Sequence, residues 1–255
     1  MPPQTIEPRR LYRQIADQLR ALIDGGELAV GSRLPPERDL ATQLGVSRPS
    51  VREAMIALEV EGRIEVRMGS GIYVRAPHAA LGARRVVAEA PLETIRARHM
   101  LEGELAARAA TRMSPAQVRG LREAIKLMQA DASAGQVPTR GDRLFHLRIA
   151  EASDNSVLLR IVTELFDERH NPLFEQLGSH FENARSWACA VAEHRAVVQA
   201  IARRSAEGAR EAMHVHLTNS HDRFTANWPI EADAPRAARR RPLAVTRSQP
   251  TRRHA

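Results

Sequence analysis

Between Leu34 and Val74 the sequence runs LPPERDLATQLGVSRPSVREAMIALEVEGRIEVRMGSGIYV, and its punctuation leaves the backbone few choices. Pro35 and Pro36 suit a helix start, where a missing N–H costs no intrahelical hydrogen bond. Leu40, Ala41 and Leu44 recur at three and four residues, the spacing of one buried helical face. Gly45 can end that helix because glycine reaches left-handed dihedrals without steric cost. Ser47 is placed to cap a second helix, and Val51, Met55 and Leu58 give it an apolar stripe. After Gly62, the positions Ile64, Val66 and Ile72 to Val74 read as two strands around a tip at Met68 to Gly71. Helix, tight turn, helix and glycine-tipped hairpin make a winged helix-turn-helix, so double-stranded DNA is the first partner to expect.

The second helix is the expected reader. Helix-turn-helix proteins present the N-terminal residues of this helix to base edges in the major groove, and here those residues are Ser47, Arg48, Pro49, Ser50 and Arg52. Arginine can hold guanine O6 and N7 through two parallel hydrogen bonds, while serine hydroxyls suit phosphate oxygens. Arg38, on the preceding helix, is placed to hold the DNA backbone.

Net charge adds nothing to this expectation. The chain carries +8 overall, but residues 1–75 hold eleven arginines against ten acids, and most of the excess lies in residues 231–255, where seven arginines face two acids. That tail has no apolar period and is predicted to be a disordered basic extension. A length of 255 residues with 43% apolar side chains allows one or two domains with real cores. No run approaches the ~18 apolar residues of a membrane span, no secretory signal is present, and the single cysteine, Cys189, excludes an intrachain disulfide. A soluble, cytoplasmic protein with no membrane partner is the expectation.

The organisation predicted is a DNA-binding domain over 1–75, a linker over 76–90 around Pro77 and Gly82, an all-helical domain over 91–230, and the tail. Six or so helices fill the helical domain. Ser114-Pro115-Ala116-Gln117 supplies a capping serine, a first-turn proline and a capping-box glutamine, and a break is expected near Asn171-Pro172. The fold class is therefore mainly α: an N-terminal winged helix-turn-helix followed by a helical bundle.

Ionisable residues on the inward faces carry the chemistry. Asp142 and His146 are four apart on one helix face, which Ile149 continues. His194 shares a face with Val191, Val198 and Ile201; His216 lines up with Met213, Leu217 and Ser220, whereas His214 lies nearly opposite. Three inward imidazoles and a carboxylate are a coherent donor set for a divalent ion, zinc first, with nickel, manganese or iron also compatible. Each histidine taken alone is more often a hydrogen-bonded core residue than a ligand.

These motifs resemble a known family. Leu34 to Val74 is similar to the DNA-binding domain of GntR-family bacterial transcription regulators, and the likeness reaches upstream through Leu11-Tyr-Arg-Gln-Ile-Ala. The resemblance implies DNA contacts at Arg38, Ser47, Arg48, Ser50, Arg52 and wing Gly69. Arg98-His-Met-Leu-Glu102, Asp142-x-x-x-His146 with Asn155, Glu193-His194 and Met213-x-x-His216-Leu217 resemble the FCD effector domain of the FadR-like subfamily. That likeness implies a metal on Asp142, His146, His194 and His216, and a small organic acid above it. Arg98 then pairs with the acid or, alternatively, with Glu102 one turn on; Asn155 contacts the effector or simply caps its helix. The function implied is a ligand-responsive regulator, expected to be a repressor, acting as a homodimer on a palindromic operator. A metal-sensing repressor and a metal-dependent enzyme acting on a small carboxylate stand as alternatives. Against the enzyme, no GxSxG motif is present, and Glu193 is expected to face away from the centre.

Overall fold

The computed structural model describes residues 11–76 and 88–225. Most of the predicted linker, residues 226–230 and the predicted basic tail at 231–255 lie outside the described residues. The chain divides into two compact units, one containing residues 11–76 and the other 88–225.

The first unit opens with α1 (Leu11–Asp24), followed by α2 (Glu37–Leu44) and α3 (Arg48–Val60), then β1 (Ile64–Arg67) and β2 (Gly71–Val74). Gly45 takes φ 67° and ends α2 as the spacing predicts; Ser47 caps α3 by accepting from Ser50 N. The strands pair antiparallel with Ile64 opposite Val74 and Val66 opposite Ile72, and Gly69 sits in the turn between them with φ 75°. Period-two alternation then sends Ile64, Val66, Ile72 and Val74 to the core, where Leu40, Val51, Met55 and Leu58 are also buried. Tyr12, Ile15 and Leu19 of α1 complete this core. Each apolar position of the expected stripes is buried except Leu44, which is half-buried.

The second unit consists, among the described residues, of seven α-helices: α4 (Pro91–Arg112), α5 (Pro115–Ser133), α6 (Thr139–Glu151), α7 (Ser156–Asp167), α8 (Pro172–Phe181), α9 (Ala184–Ala202) and α10 (Ala206–Thr225). The capping box at Ser114 forms, with both Gln117 N donating to Ser114 Oγ and Ser114 N donating to Gln117 Oε1. The break expected near Asn171-Pro172 is a short 3-10 turn, Glu168–His170, after which Asn171 caps α8. A single core runs through Leu105, Leu121, Phe145, Ile149, Phe166, Val198 and Met213.

One close approach positions the centre described below. A Cβ at Gly141, in the first turn of α6, would come within 2.8 Å of Ala124 O and Met128 N in α5. The absence of a side chain lets the two backbones meet beside Asp142. Gly141→Ala should destabilise the protein by about 1–3 kcal/mol through overpacking, lowering the melting temperature by several degrees. It should also weaken divalent-ion uptake. Unchanged melting and ion affinity in calorimetry would show that α6 can step away from α5 at no cost.

Candidate functional site

Asp142 and His146 on α6, His194 on α9 and His216 on α10 meet in the interior, each offering a ligand atom within 4.8 Å of the others. All four side chains are buried. His194 Nε2 lies 3.1 Å from Asp142 Oδ1 and 3.2 Å from His146 Nε2, and His146 Nε2 lies 3.7 Å from Asp142 Oδ1.

The outer ring nitrogens fix which atoms face inward. His146 Nδ1 donates to Glu102 Oε2, His194 Nδ1 to Ala190 O at 2.7 Å, and His216 Nδ1 to Glu193 Oε2 at 2.9 Å. A carboxylate or carbonyl can only accept, so each Nδ1 carries a proton, and in a neutral ring Nε2 is then the acceptor that faces the centre. With neutral rings, acceptors converge on acceptors, an arrangement that a cation stabilises, either a proton or a metal ion. These partners are the outer contacts that metal-bound histidines characteristically make. The donor set fits a divalent ion held by Asp142 Oδ1 and the three Nε2 atoms, and such an ion would supply charge stabilisation to a bound anion.

Electrostatics agrees with this arrangement. Burial, then the neighbouring His194, pushes His216 down to about 3, so it is neutral and ready to ligate. At Asp142 burial alone would raise the pKa, but hydrogen bonds and charge from His146 and His194 hold it well below the usual carboxylate range. Burial acts the same way on Glu102, where Arg98 and His146 outweigh it and lower the carboxyl to about 2. Glu193 is also held at about 2, burial being overcome by His216 and Arg223. His146 is raised: burial lowers it, but the Glu102 charge prevails.

Beside the cluster lies a cavity of about 420 Å³, counting its open mouth, whose wall includes Arg98, Arg169, Trp187, His216, Ser220 and Arg223. Arg98 is buried; its Nε donates to Glu102 Oε1 at 2.7 Å and its guanidinium covers the Phe166 ring at 3.9 Å. Both sequence readings of Arg98 therefore have a basis, since the Glu102 pair leaves Nη2 buried with no hydrogen-bond partner. Asn155 departs from the effector reading. It is exposed, and its Oδ1 accepts from Val157 N and Leu158 N at the start of α7, so the competing role of helix cap has taken the side chain. His214 stays out of the cluster and stacks on His99.

Glu193 adds a contact that its expected direction did not reveal. It does face away from His194 along α9, yet its carboxylate reaches His216 from behind and is itself held by Arg223 and Asn219. Arg223 lies seven residues after His216, a continuation of the same helix face that the spacing could have revealed. Trp187, seven before His194 on α9, was legible in the same way. Arg169 lies in the 3-10 turn at the helix break, and no sequence period reaches it.

On the DNA-binding unit, Arg38, Ser47 and Arg48 are exposed and Ser50 half-buried, with Gly69 exposed at the wing tip. Arg52 departs from the expected surface position. Only 2% exposed, it donates from Nε to Glu37 Oε2 at 2.9 Å, while Arg48, 58% exposed along its side chain, donates from Nε to Glu37 Oε1 at 2.8 Å. The buried carboxylate at the start of α2 draws Arg52 inward, because a buried charge without a partner is far costlier than a paired one.

A winged helix-turn-helix joined to a helical domain with a buried ionic cavity defines a DNA-binding transcriptional regulator with an effector domain. The chain belongs to the GntR family of bacterial regulatory proteins, in its FadR-like branch: the gntR-family profile matches residues 11–74 and the FCD domain profile residues 93–219. It is 37% identical over 226 residues to the Exu regulon transcriptional regulator of Escherichia coli K12, covering 84% of both chains. Identity to the Uxu operon transcriptional regulator of the same organism is 34%, covering 85% of this chain and 87% of that one. The Uxu operon regulator of Haemophilus influenzae is 33% identical, with 82% and 80% covered. These relatives are transcriptional regulators, so the enzyme alternative falls. Among the described residues no helix is long and apolar enough to cross a membrane.

Glu193→Gln keeps the shape but removes the charge that orients His216, and should weaken binding of a divalent ion about 10- to 100-fold. His216→Ala should do at least as much, whereas His214→Ala should leave metal content unchanged. Competition titration with a chelating dye measures all three; equal losses in the two histidine variants would overturn the ligand assignment.

Proposed function

We propose that this regulator is a homodimeric repressor that binds a palindromic operator and releases it when a small organic acid enters the cavity beside a divalent ion. The observation that carries this reading is Arg98, a buried guanidinium on the cavity wall whose Nη2 has no partner. A buried donor left unsatisfied costs about 1–3 kcal/mol, and a carboxylate is the acceptor that best fits a guanidinium edge. Asp142, His146, His194 and His216 would hold the ion, for which zinc is the first candidate. The acid would favour one of two arrangements of the DNA-binding units, with its differential affinity setting the size of the response.

For the DNA side, Arg48 offers its open guanidinium to a base edge, with Arg38, Ser47, Ser50 and the Gly69 backbone on phosphates. Arg52 works from beneath, sharing Glu37 with Arg48. A duplex selected in vitro from a random library by the full-length protein should contain an inverted repeat and be bound by two copies. Arg48→Ala should cost about 1–3 kcal/mol of binding to that duplex and relax its sequence preference, with melting little changed. Arg52→Ala should instead lower the stability of the winged unit by about 3 kcal/mol or more by leaving Glu37 short of a counter-charge. Arg52→Ala with normal stability and a specific loss of base preference would restore it to the reading surface.

The effector half is tested by adding small carboxylic acids to the zinc-loaded protein on its selected duplex. Wild type should dissociate with at least one acid, and Arg98→Ala should bind the duplex but no longer respond. Release on chelation alone, with no acid effective, would instead make the metal ion the signal.

A further inference from the structure

One guanidinium on the wing is left without a counter-charge. Residues 31–34 run beside β2 as a short outer segment: Leu34 N donates to Ile72 O at 2.8 Å, Val74 N donates to Ser32 O at 3.0 Å, and Arg33 sits opposite Tyr73. Opposite residues of an antiparallel pair share a face, so Arg33 lies with Tyr73, Glu65 and Arg67 on the side away from the buried Ile64 and Ile72. Arg67 is already matched. Its Nε and Nη2 each donate to Glu65 at 3.1 Å, and its guanidinium lies 4.6 Å from the Tyr73 ring centroid. Arg33 is exposed and has no hydrogen-bond or ion-pair partner among the described residues.

Gly71 sets the position of this free cation. A Cβ on Gly71 would come within 3.0 Å of Arg33 Cζ and Nη2, and closer still to Nε. The Arg33 backbone is level with Tyr73, yet its guanidinium lies over Gly71, two residues nearer the Gly69 tip. Gly71 also has φ 130°, a conformation that residues with side chains rarely adopt. A bare strand position thus gives the Arg33 stem a track along the sheet toward the tip. With α3 in the major groove, the hairpin that leaves it after Gly62 borders the neighbouring sugar–phosphate backbone. A guanidinium laid on the sheet presents its edge at the wing surface instead of projecting into a groove. Phosphate oxygens, which can accept two parallel hydrogen bonds from arginine, match such an edge; base edges on the floor of the minor groove do not.

We infer that Arg33 is a further DNA-contact residue, an outer clamp on one backbone phosphate at the wing that adds affinity without reading sequence. The inference stands on the DNA-binding unit alone and is independent of the effector reading.

The test uses full-length protein and the duplex it selects in vitro. Removing one phosphate contact lowers the salt slope of log K by about 0.9, so Arg33→Ala should weaken binding about eightfold at 0.1 M salt and about fourfold at 0.2 M. Arg33→Lys keeps the charge and should recover most of the slope, and neither variant should move the melting temperature. Arg122→Ala removes the same charge from the exposed side of α5 and should leave the slope unchanged. Arg33→Ala should select the same sequence from a random library as wild type. Ethylation of single phosphates on that duplex should find at least one whose modification weakens wild type but not Arg33→Ala. An unchanged salt slope in Arg33→Ala, an equal change in Arg122→Ala, or the absence of such a phosphate would overturn the inference. Loss of preference for particular base pairs in Arg33→Ala would overturn the phosphate assignment and put the guanidinium in the minor groove.

Discussion

Three imidazoles turned so that their lone pairs face one carboxylate are a repulsive arrangement, and the helical domain is organised around holding it. Each ring is anchored from outside: His146 by Glu102, His194 by the Ala190 carbonyl of its own helix, His216 by Glu193. Those anchors are themselves held, Glu102 by Arg98 and Glu193 by Arg223 and Asn219. The outer layer joins α4, α9 and α10 to the centre through charge-assisted hydrogen bonds, which are stronger than neutral ones. It also connects the centre to the cavity wall, because Arg98 belongs to both.

Legibility from sequence followed the range of the interaction. Local signals were sufficient wherever one residue acts on its own helix: Gly45 and Ser47 at the turn, the box at Ser114 and Gln117, and the Asp142 and His146 pair one turn apart. Inward faces could also be assigned, so His194 and His216 were separated from His214. What the spacing could not supply was which element lies behind a given side chain. Glu193 shows this: facing away from His194 on α9 was correct, but only the packing of α10 reveals that this direction leads to His216. Asn155 is the reverse case, since a local cap satisfied it before any distant ligand could.

Arg52 failed for a related reason. Its helical position, four residues after Arg48, puts both guanidiniums on one side of α3, and one carboxylate of α2 lies within reach of both. Glu37 binds the more deeply placed arginine with Oε2 and the outer one with Oε1. The pair that looks like two equal readers in the sequence becomes one supporting and one presented group. The pattern of residues on a recognition helix thus needs the preceding helix to be interpreted.

Gly141 gives the centre its frame of reference. With no side chain between them, the backbones of α5 and α6 touch beside Asp142, and α5 contributes none of the four ligands. The carboxylate is therefore registered against a main chain rather than against side chains that could drift by substitution. The outer face of α5 is free to change its residues over evolutionary time, while the path of its backbone is not. A helix with no chemistry of its own acts as the ruler from which the ion-binding geometry is measured.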